Sequence, residues 1–348
     1  MLRLAVIGAT GAVGNECLKL LDSGVVPIGQ VVCVASNASV GRDLSAELGL
    51  GLRTEPCSTL EAIDFGEIDA VVLCAGAELS RREAERIAAD GALVVDNSSA
   101  FRQRDDIPLV VPQVNAHLLE ERPAAGIVAN PNCSTIQLVR AIQPVHELAG
   151  LEQVVVSTYQ AASGGGQRGL AELLEGTQQR IDDPASPIGE PGRFGQPLAF
   201  NLVPEIGLPD DSGFSHEELK IARESRRILG LPRLRITATA VRVPVVNCHS
   251  EAAYVRTTRP VSAAAVEDAV GSAAGLRVYR RDEKPAYPMP RVVGSGTDRS
   301  SVHVGRIRTE PGDDHAVWLW IVADNLWVGA ALNALEIVAA AVKSGWLR

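Results

Sequence analysis

The sequence predicts an α/β protein in which a doubly wound parallel sheet is joined to a second, α+β domain, and three observations carry that prediction. An apolar run from Leu2 to Ile7 stops at a glycine-rich turn, and the stretch from Gly11 to Leu21 then carries Val13, Cys17, Leu20 and Leu21 at helical spacing. Apolar runs of the kind buried on both faces of a parallel sheet recur at residues 31–35, 70–74 and 93–95, with a polar-faced helix over 79–90 between the last two. Beyond about Asn130 the texture changes to longer alternating segments, and 348 residues exceed what one ordinary core accommodates.

In the second half a helix is expected from Ser134 to about Leu148, then a strand over 153–160. From Arg235 onward the runs ITATAVRV, AAYVRT, VHVGRIR and AVWLWIVAD alternate, which predicts an antiparallel sheet with one face covered. Residues 182–195, rich in Pro, Gly, Asp and Ser, read as a surface loop inside the second lobe. Residues 326–342 have helical periodicity and are expected to return to the first lobe. The expected division is therefore 1–130, completed by 326–348, and 131–325.

Composition narrows the function. The 33 basic and 42 acidic side chains leave a net charge of −9 with no clustered Lys/Arg run, which disfavours nucleic acid and anionic membranes as partners. No window approaches the roughly 20 apolar residues of a membrane span, and the N-terminal segment does not read as a signal peptide, so a cytoplasmic location is expected. The six cysteines have no CxxC or Cys/His spacing, so neither a metal site nor a disulfide framework is expected.

Gly8-Ala9-Thr10-Gly11-Ala12-Val13-Gly14 links the first strand to the first helix, the context in which a glycine spacing signals a dinucleotide. Glycines let the backbone approach a pyrophosphate whose charge sits at the helix N-terminus. The spacing is GxxGxxG, a variant of the Rossmann-type fingerprint. The second strand ends without the Asp or Glu that holds a ribose 2′-hydroxyl, whereas Ser36, Ser39 and Arg42 tolerate a 2′-phosphate, so NADP is expected over NAD.

Asn130-Pro131-Asn132-Cys133-Ser134-Thr135 places a thiol at a helix start, where backbone N–H groups and the positive dipole end favour thiolate. Cys33 and Cys74 fall in apolar strand runs and Cys17 on a helix face, and all three read as buried, inert thiols. A thiolate beside a nicotinamide site points to covalent aldehyde or acyl chemistry. Spacing alone does not choose an acid/base among the six histidines.

Taken together, GATGAVG (8–14), NSSAFR (97–102), PLVVPQVN (108–115), NPNCST (130–135), SGGGQRG (163–169), EELK (217–220), VRVPVVNCHSE (241–251) and ADNLWVGAALNA (323–334) resemble the aspartate-β-semialdehyde dehydrogenase family over nearly the whole chain. The resemblance implies an NADP-binding Rossmann domain and a catalytic and dimerisation domain in a homodimer or homotetramer. It implies Cys133 as nucleophile, Gln160 as the substrate-orienting glutamine and His249 as acid/base. Arg242 takes a substrate carboxylate, Glu217 the amino group, Lys220 and Arg102 the phosphate, Asn132 the oxyanion, and Asn325 joins the cofactor contacts. If both Arg242 and His249 line one pocket, their separation of seven requires a bend between them. Three departures stand out: Ala38 replaces the family's 2′-phosphate arginine, Trp327-Val328 replaces a basic pair, and AFNLVPEIGLPDDSG is unusual. The rival readings are the related N-acetyl-glutamyl-phosphate reductase, whose motif resembles NPGCY, and a non-catalytic cofactor-binding paralogue.

Overall fold

The computed structural model describes residues 2–185 and 192–347. Contacts divide the chain into two compact units, Met1–Asn132 with Gly329–Arg348, and Cys133–Val328.

The first unit is built on five parallel strands: β1 (Leu2–Ile7), β2 (Ile28–Val34), β3 (Ala70–Leu73), β4 (Leu93–Asp96) and β5 (Ile127–Ala129), in the order β2-β1-β3-β4-β5. All residues of β3, β4 and β5 are buried, as strands covered on both faces must be. Helices Ala12–Asp22 and Ala77–Ala89 supply crossovers, the second close to its predicted span. The C-terminal segment is a π-helical turn at Trp327–Ala331 followed by an α-helix over Leu332–Lys343. Within the first unit, Asn333 of that helix donates to Val110 O at 2.9 Å and to Asn130 Oδ1 at 2.6 Å.

The second unit holds a six-stranded sheet. Its strands are β6 (Leu151–Gln160), β7 (Arg235–Arg242), β8 (His249–Thr257), β9 (Leu276–Val278), β10 (Val302–Glu310) and β11 (Asp313–Ala323), ordered β7-β6-β8-β11-β10-β9. The expected antiparallel sheet is corrected to a mixed one: β6 runs parallel to β7, and β9 parallel to β10. Helices Gly166–Asp182 and His216–Ile228 lie between β6 and β7 in the chain, and such a long crossover is what parallel pairing requires. Strand alternation cannot register this, because side chains alternate identically in both pairings. One face of the sheet is covered by the helix Cys133–Ala149, whose Ile136, Leu138, Val139 and Ile142 are buried. Of the loop expected over 182–195, residues 186–191 lie outside the described residues; Asp182 ends a helix and the loop is described at 183–185 and 192–195.

Candidate active site

The second unit assembles its site at the ends of three adjacent strands. Gln160 at the end of β6 is in register with Arg242 at the end of β7, and on the other side Tyr159 pairs with Ser250, next to His249 at the start of β8. Gln160, Arg242 and His249 are all buried, on the face that the Cys133–Ala149 helix covers. The seven-residue separation is resolved by chain reversal: Arg242 ends one strand, His249 starts another, and residues 243–248 turn between them with Cys248 at φ +72°.

Both side chains are fastened to the backbone of one residue, Ala161. The Ala161 N–H donates to His249 Nδ1 at 3.0 Å, and Arg242 Nη1 donates to Ala161 O at 2.8 Å. Because Nδ1 accepts, the neutral ring carries its proton on Nε2, a buried atom with no hydrogen-bond partner. Burial, reinforced by the Arg242 charge, pulls the His249 pKa well below its ordinary 6.5. Burial likewise lowers the Arg242 pKa, and electrostatic interaction with Cys133 and Glu217 opposes that. Gln160 Nε2 donates to Glu217 Oε1 at 3.2 Å, and Lys220 Nζ donates to Glu217 Oε2 at 3.2 Å. Glu217 is thus buried and shared by two donors, Gln160 from the sheet as well as Lys220 from its own helix. Its helix is set by a capping box at Ser215 and Glu218, and Glu218 Oε1 also accepts from Ala240 N–H of β7.

Cys133 is the first residue of its helix, one position earlier than the sequence suggests, and half-buried. Cys17, Cys33, Cys57 and Cys248 are buried. Burial pushes Cys33 up to about 12 and raises Cys248 also. Cys74 departs from expectation: it lies just past β3, half-buried, and accepts from Asn97 Nδ2 at 3.3 Å.

Asn325 also belongs to this unit. Its Oδ1 accepts from the Ser163 hydroxyl at 3.1 Å and from Cys248 N–H at 3.1 Å, steadying the turn that leads into His249. Next to it Asp324 accepts from Arg299 and Asn247, and Arg299 stacks over Trp327 at 4.1 Å. The departure Trp327-Val328 is thereby explained as packing, since Val328 is fully buried. Ser163, Asn247 and Asp324 went unnoticed in the sequence as site-forming residues. All three lie inside the matched motifs SGGGQRG, VRVPVVNCHSE and ADNLWVGAALNA, and that membership was the only signal.

In the first unit, Gly8 adopts φ +84° and a Cβ on it would lie 2.9 Å from Cys74 O. A Cβ on Gly14 would lie 2.3 Å from Gly8 O and 2.7 Å from Ala9 Cα. The helix therefore begins against the turn, leaving Thr10 to Val13 at its N-terminal end, and the arrangement fits a bound pyrophosphate. Ser36 and Arg42 are exposed, Ser39 half-buried, and Arg42 is paired with Glu47, its Nε 3.0 Å from Oε1. Any anion bound at Arg42 would have to compete with that carboxylate. Arg102 is buried and donates to Asn130 O and Asn97 O, each at 2.8 Å, and Asn132 is also buried.

A parallel sheet with this turn in one unit, and a mixed sheet carrying a buried imidazole and guanidinium in the other, define an oxidoreductase that uses a nicotinamide dinucleotide. Comparison with known proteins narrows the class. The semialdehyde dehydrogenase NAD binding domain matches residues 3–122, and the semialdehyde dehydrogenase dimerisation domain matches 142–328. The chain is 37% identical to the aspartate-semialdehyde dehydrogenase of Aquifex aeolicus over 343 residues, covering 99% of this chain and 98% of the relative. It is 39% identical to that of Streptomyces akiyoshiensis over 355 residues, covering 98% and 100%. The crystal structure of aspartate semialdehyde dehydrogenase II of Vibrio cholerae, complexed with ASA, superposes with a TM-score of 0.91 at 34% identity, covering 99% and 98%. The chain belongs to the aspartate-semialdehyde dehydrogenase family.

One stability prediction arises from the site. Glu251, two residues after His249 on the same strand face, is fully buried, and burial raises its pKa well above 4.5, with Gln137 opposing the shift. A folded-state pKa raised in this way stabilises the fold below about 4.5 and loses that contribution as pH rises towards the raised value. Glu251→Gln does not titrate, so its Tm relative to the parent protein is expected to climb between pH 5 and pH 8. Parallel Tm curves in thermal melts across that range would contradict it.

Proposed function

We propose that this chain reduces L-aspartyl-4-phosphate with NADPH to L-aspartate-4-semialdehyde and phosphate, reversibly, through a thioester on Cys133. The observation that carries the reading is the backbone of Ala161, whose N–H holds the His249 ring with its proton on Nε2 and whose C=O holds the Arg242 guanidinium.

The steps follow from these side chains. Arg242 takes the α-carboxylate, and Glu217 takes the α-ammonium while Gln160 shares the same carboxylate group. The Cys133 thiolate forms a C–S bond to the acyl carbon, and phosphate leaves towards Lys220 and Arg102. Backbone N–H groups at the helix start and Asn132 stabilise the oxyanion. Gly8 to Gly14, Ser36, Ser39 and Arg42, with Asn325, would hold NADPH, which when bound would supply the hydride that reduces the thioester. His249 Nε2 gives its proton to the resulting oxyanion and takes it back as the C–S bond breaks, returning thiolate and releasing the aldehyde. Its lowered pKa keeps the ring neutral at neutral pH, ready for both transfers.

The test is the reverse reaction: L-aspartate semialdehyde with NADP, with and without phosphate, followed by NADPH formation. Phosphate-dependent turnover supports the reading. Silence from a folded protein that binds NADP overturns it in favour of the related acyl-phosphate reductase or a binding-only paralogue. The NADP preference is read from the kcat/KM ratio of NADP to NAD. Arg42→Ala is expected to lower that ratio several-fold, and an unchanged ratio removes Arg42 from the 2′-phosphate site.

The proposed assembly is a cytoplasmic homodimer. Among the described residues, no helix is long and apolar enough to cross a membrane. The sheet face opposite the Cys133–Ala149 helix presents Val155, 41% exposed, beside the ring pairs Tyr159–Trp320 and Tyr254–Trp318. An apolar, aromatic patch of this kind suits association with a second copy. Sedimentation velocity is expected to show a species of twice the chain mass, and a stable monomer at micromolar concentration contradicts it.

A further inference from the structure

The run Ser163-Gly164-Gly165-Gly166-Gln167-Arg168-Gly169 matches the family motif, yet the functional reading above gives its glycines no task. Their surroundings supply one. A Cβ on Gly164 would lie 2.8 Å from Arg242 Nη1 and 3.2 Å from His249 Cε1. On Gly165 it would lie 2.7 Å from Phe194 Cε1, and on Gly169 2.6 Å from Phe194 Cζ. The glycines therefore form a bed in which the Phe194 ring lies, and Arg242 Cζ stands 5.2 Å from that ring's centroid. Phe194 also packs on a small buried cluster of Ala162, Leu173, Leu198 and Val203.

Arg242 is consequently held on several sides. Its backbone N–H and C=O both pair with Val203, at 2.8 and 3.0 Å, and Nη1 is committed to Ala161 O. Its guanidinium carbon stands over the Phe194 ring. Its Nε is buried and has no acceptor among the described residues. Arg242 and Phe194 also line a cavity of about 260 Å³ with Arg193, Glu205, Ile206 and Leu208. An unpartnered buried N–H donor on a guanidinium of fixed plane is suited to a planar carboxylate.

We propose that Phe194 is a positioning residue: its ring fixes the plane of the Arg242 guanidinium and thereby sets the preference for substrates that carry an α-carboxylate. This rests on the reading of Arg242 as the carboxylate-binding group. Loss of the ring leaves the reacting centre intact and costs carboxylate recognition.

The experiment compares two aldehydes, aspartate semialdehyde and propanal, which lacks the carboxylate. Phe194→Ala is expected to raise KM for aspartate semialdehyde about tenfold, a size typical of a desolvated cation–π contact. Its kcat should stay within about twofold, kcat/KM for propanal should not change, and Phe194→Tyr should restore the parent KM. Gly165→Ala displaces the same ring without meeting backbone, so it should raise KM similarly, and the double variant should be no worse than Phe194→Ala alone. Equal losses for both aldehydes, or additive effects in the double variant, overturn the proposal. Absence of turnover by the parent enzyme overturns the functional reading instead. Calorimetric titration with L-aspartate then decides the role of Phe194: weaker binding by Phe194→Ala upholds it, and no difference overturns it.

Discussion

Cys133→Ala is expected to lower kcat for phosphate-dependent oxidation of aspartate semialdehyde by roughly four to six powers of ten, the loss that follows removal of a covalent nucleophile. The thiol stands at the first residue of a 17-residue helix, half-buried, within electrostatic reach of Arg242. Of the other cysteines four are buried, and the sulfur of Cys74 already accepts from Asn97. The substitution removes one sulfur atom from a half-buried position and leaves the Ala161 bonds to His249 and Arg242 untouched. Tm and NADP affinity should therefore stay close to the parent values, which separates loss of chemistry from loss of fold. Cys133→Ser tests the same point from the other side. A hydroxyl at this position has no accessible anionic form near neutral pH, so that variant should be nearly as inactive. Turnover within a hundredfold of the parent in either variant would falsify the thioester route.

The contrast between Cys133 and Ala161 shows what a sequence can disclose. A thiol at a helix start is a local feature, set by the few residues on either side, and NPNCST displays it directly. The strand, glycine turn and helix at the N-terminus are legible for the same reason. Ala161 is an alanine, with no chemistry of its own, and it matters only because β6 lies between β7 and β8 in space while preceding both in the chain. Its N–H and C=O reach His249 and Arg242 through a register between strands more than 70 residues apart, which no local pattern encodes. Mixed pairing was missed because alternation is blind to strand direction. Phe194 was missed because it lies in a Pro/Gly-rich loop, where a lone aromatic carries no periodic signal. In the first unit the buried bridge from Asn333 to Asn130 joins residues about 200 apart, each unremarkable where it stands. What stayed hidden throughout is the set of residues that hold the reacting groups, since their significance lies in three-dimensional neighbours.

Gly14→Ala is expected to be the most damaging single-methyl change in the first unit. The three glycines of the dinucleotide turn are equivalent in sequence but not in structure. At Gly14 the new Cβ meets Gly8 O at 2.3 Å, Ala9 Cα at 2.7 Å and Ala9 O at 2.8 Å, all backbone atoms that cannot rotate away. At Gly8 the obstacle is Cys74 O at 2.9 Å together with a φ of +84°, unfavourable for any residue with a Cβ. Gly11 has φ −79°, and its nearest obstacle is Gly8 O at 3.2 Å, a contact that slight relaxation relieves. The order of damage should therefore be Gly14, then Gly8, then Gly11. Overpacking of this kind costs about 3 kcal/mol or more at the worst position, a Tm loss on the order of 10 °C for a unit of this size. The helix can escape the clash only by moving away from the turn, which withdraws its N-terminal N–H groups from a pyrophosphate. NADP affinity should accordingly fall by at least a hundredfold in Gly14→Ala and by less than about fivefold in Gly11→Ala, measured by fluorescence titration beside the thermal melts. Equal losses at all three positions would mean that the ligand, and not the packing of helix on turn, requires these glycines.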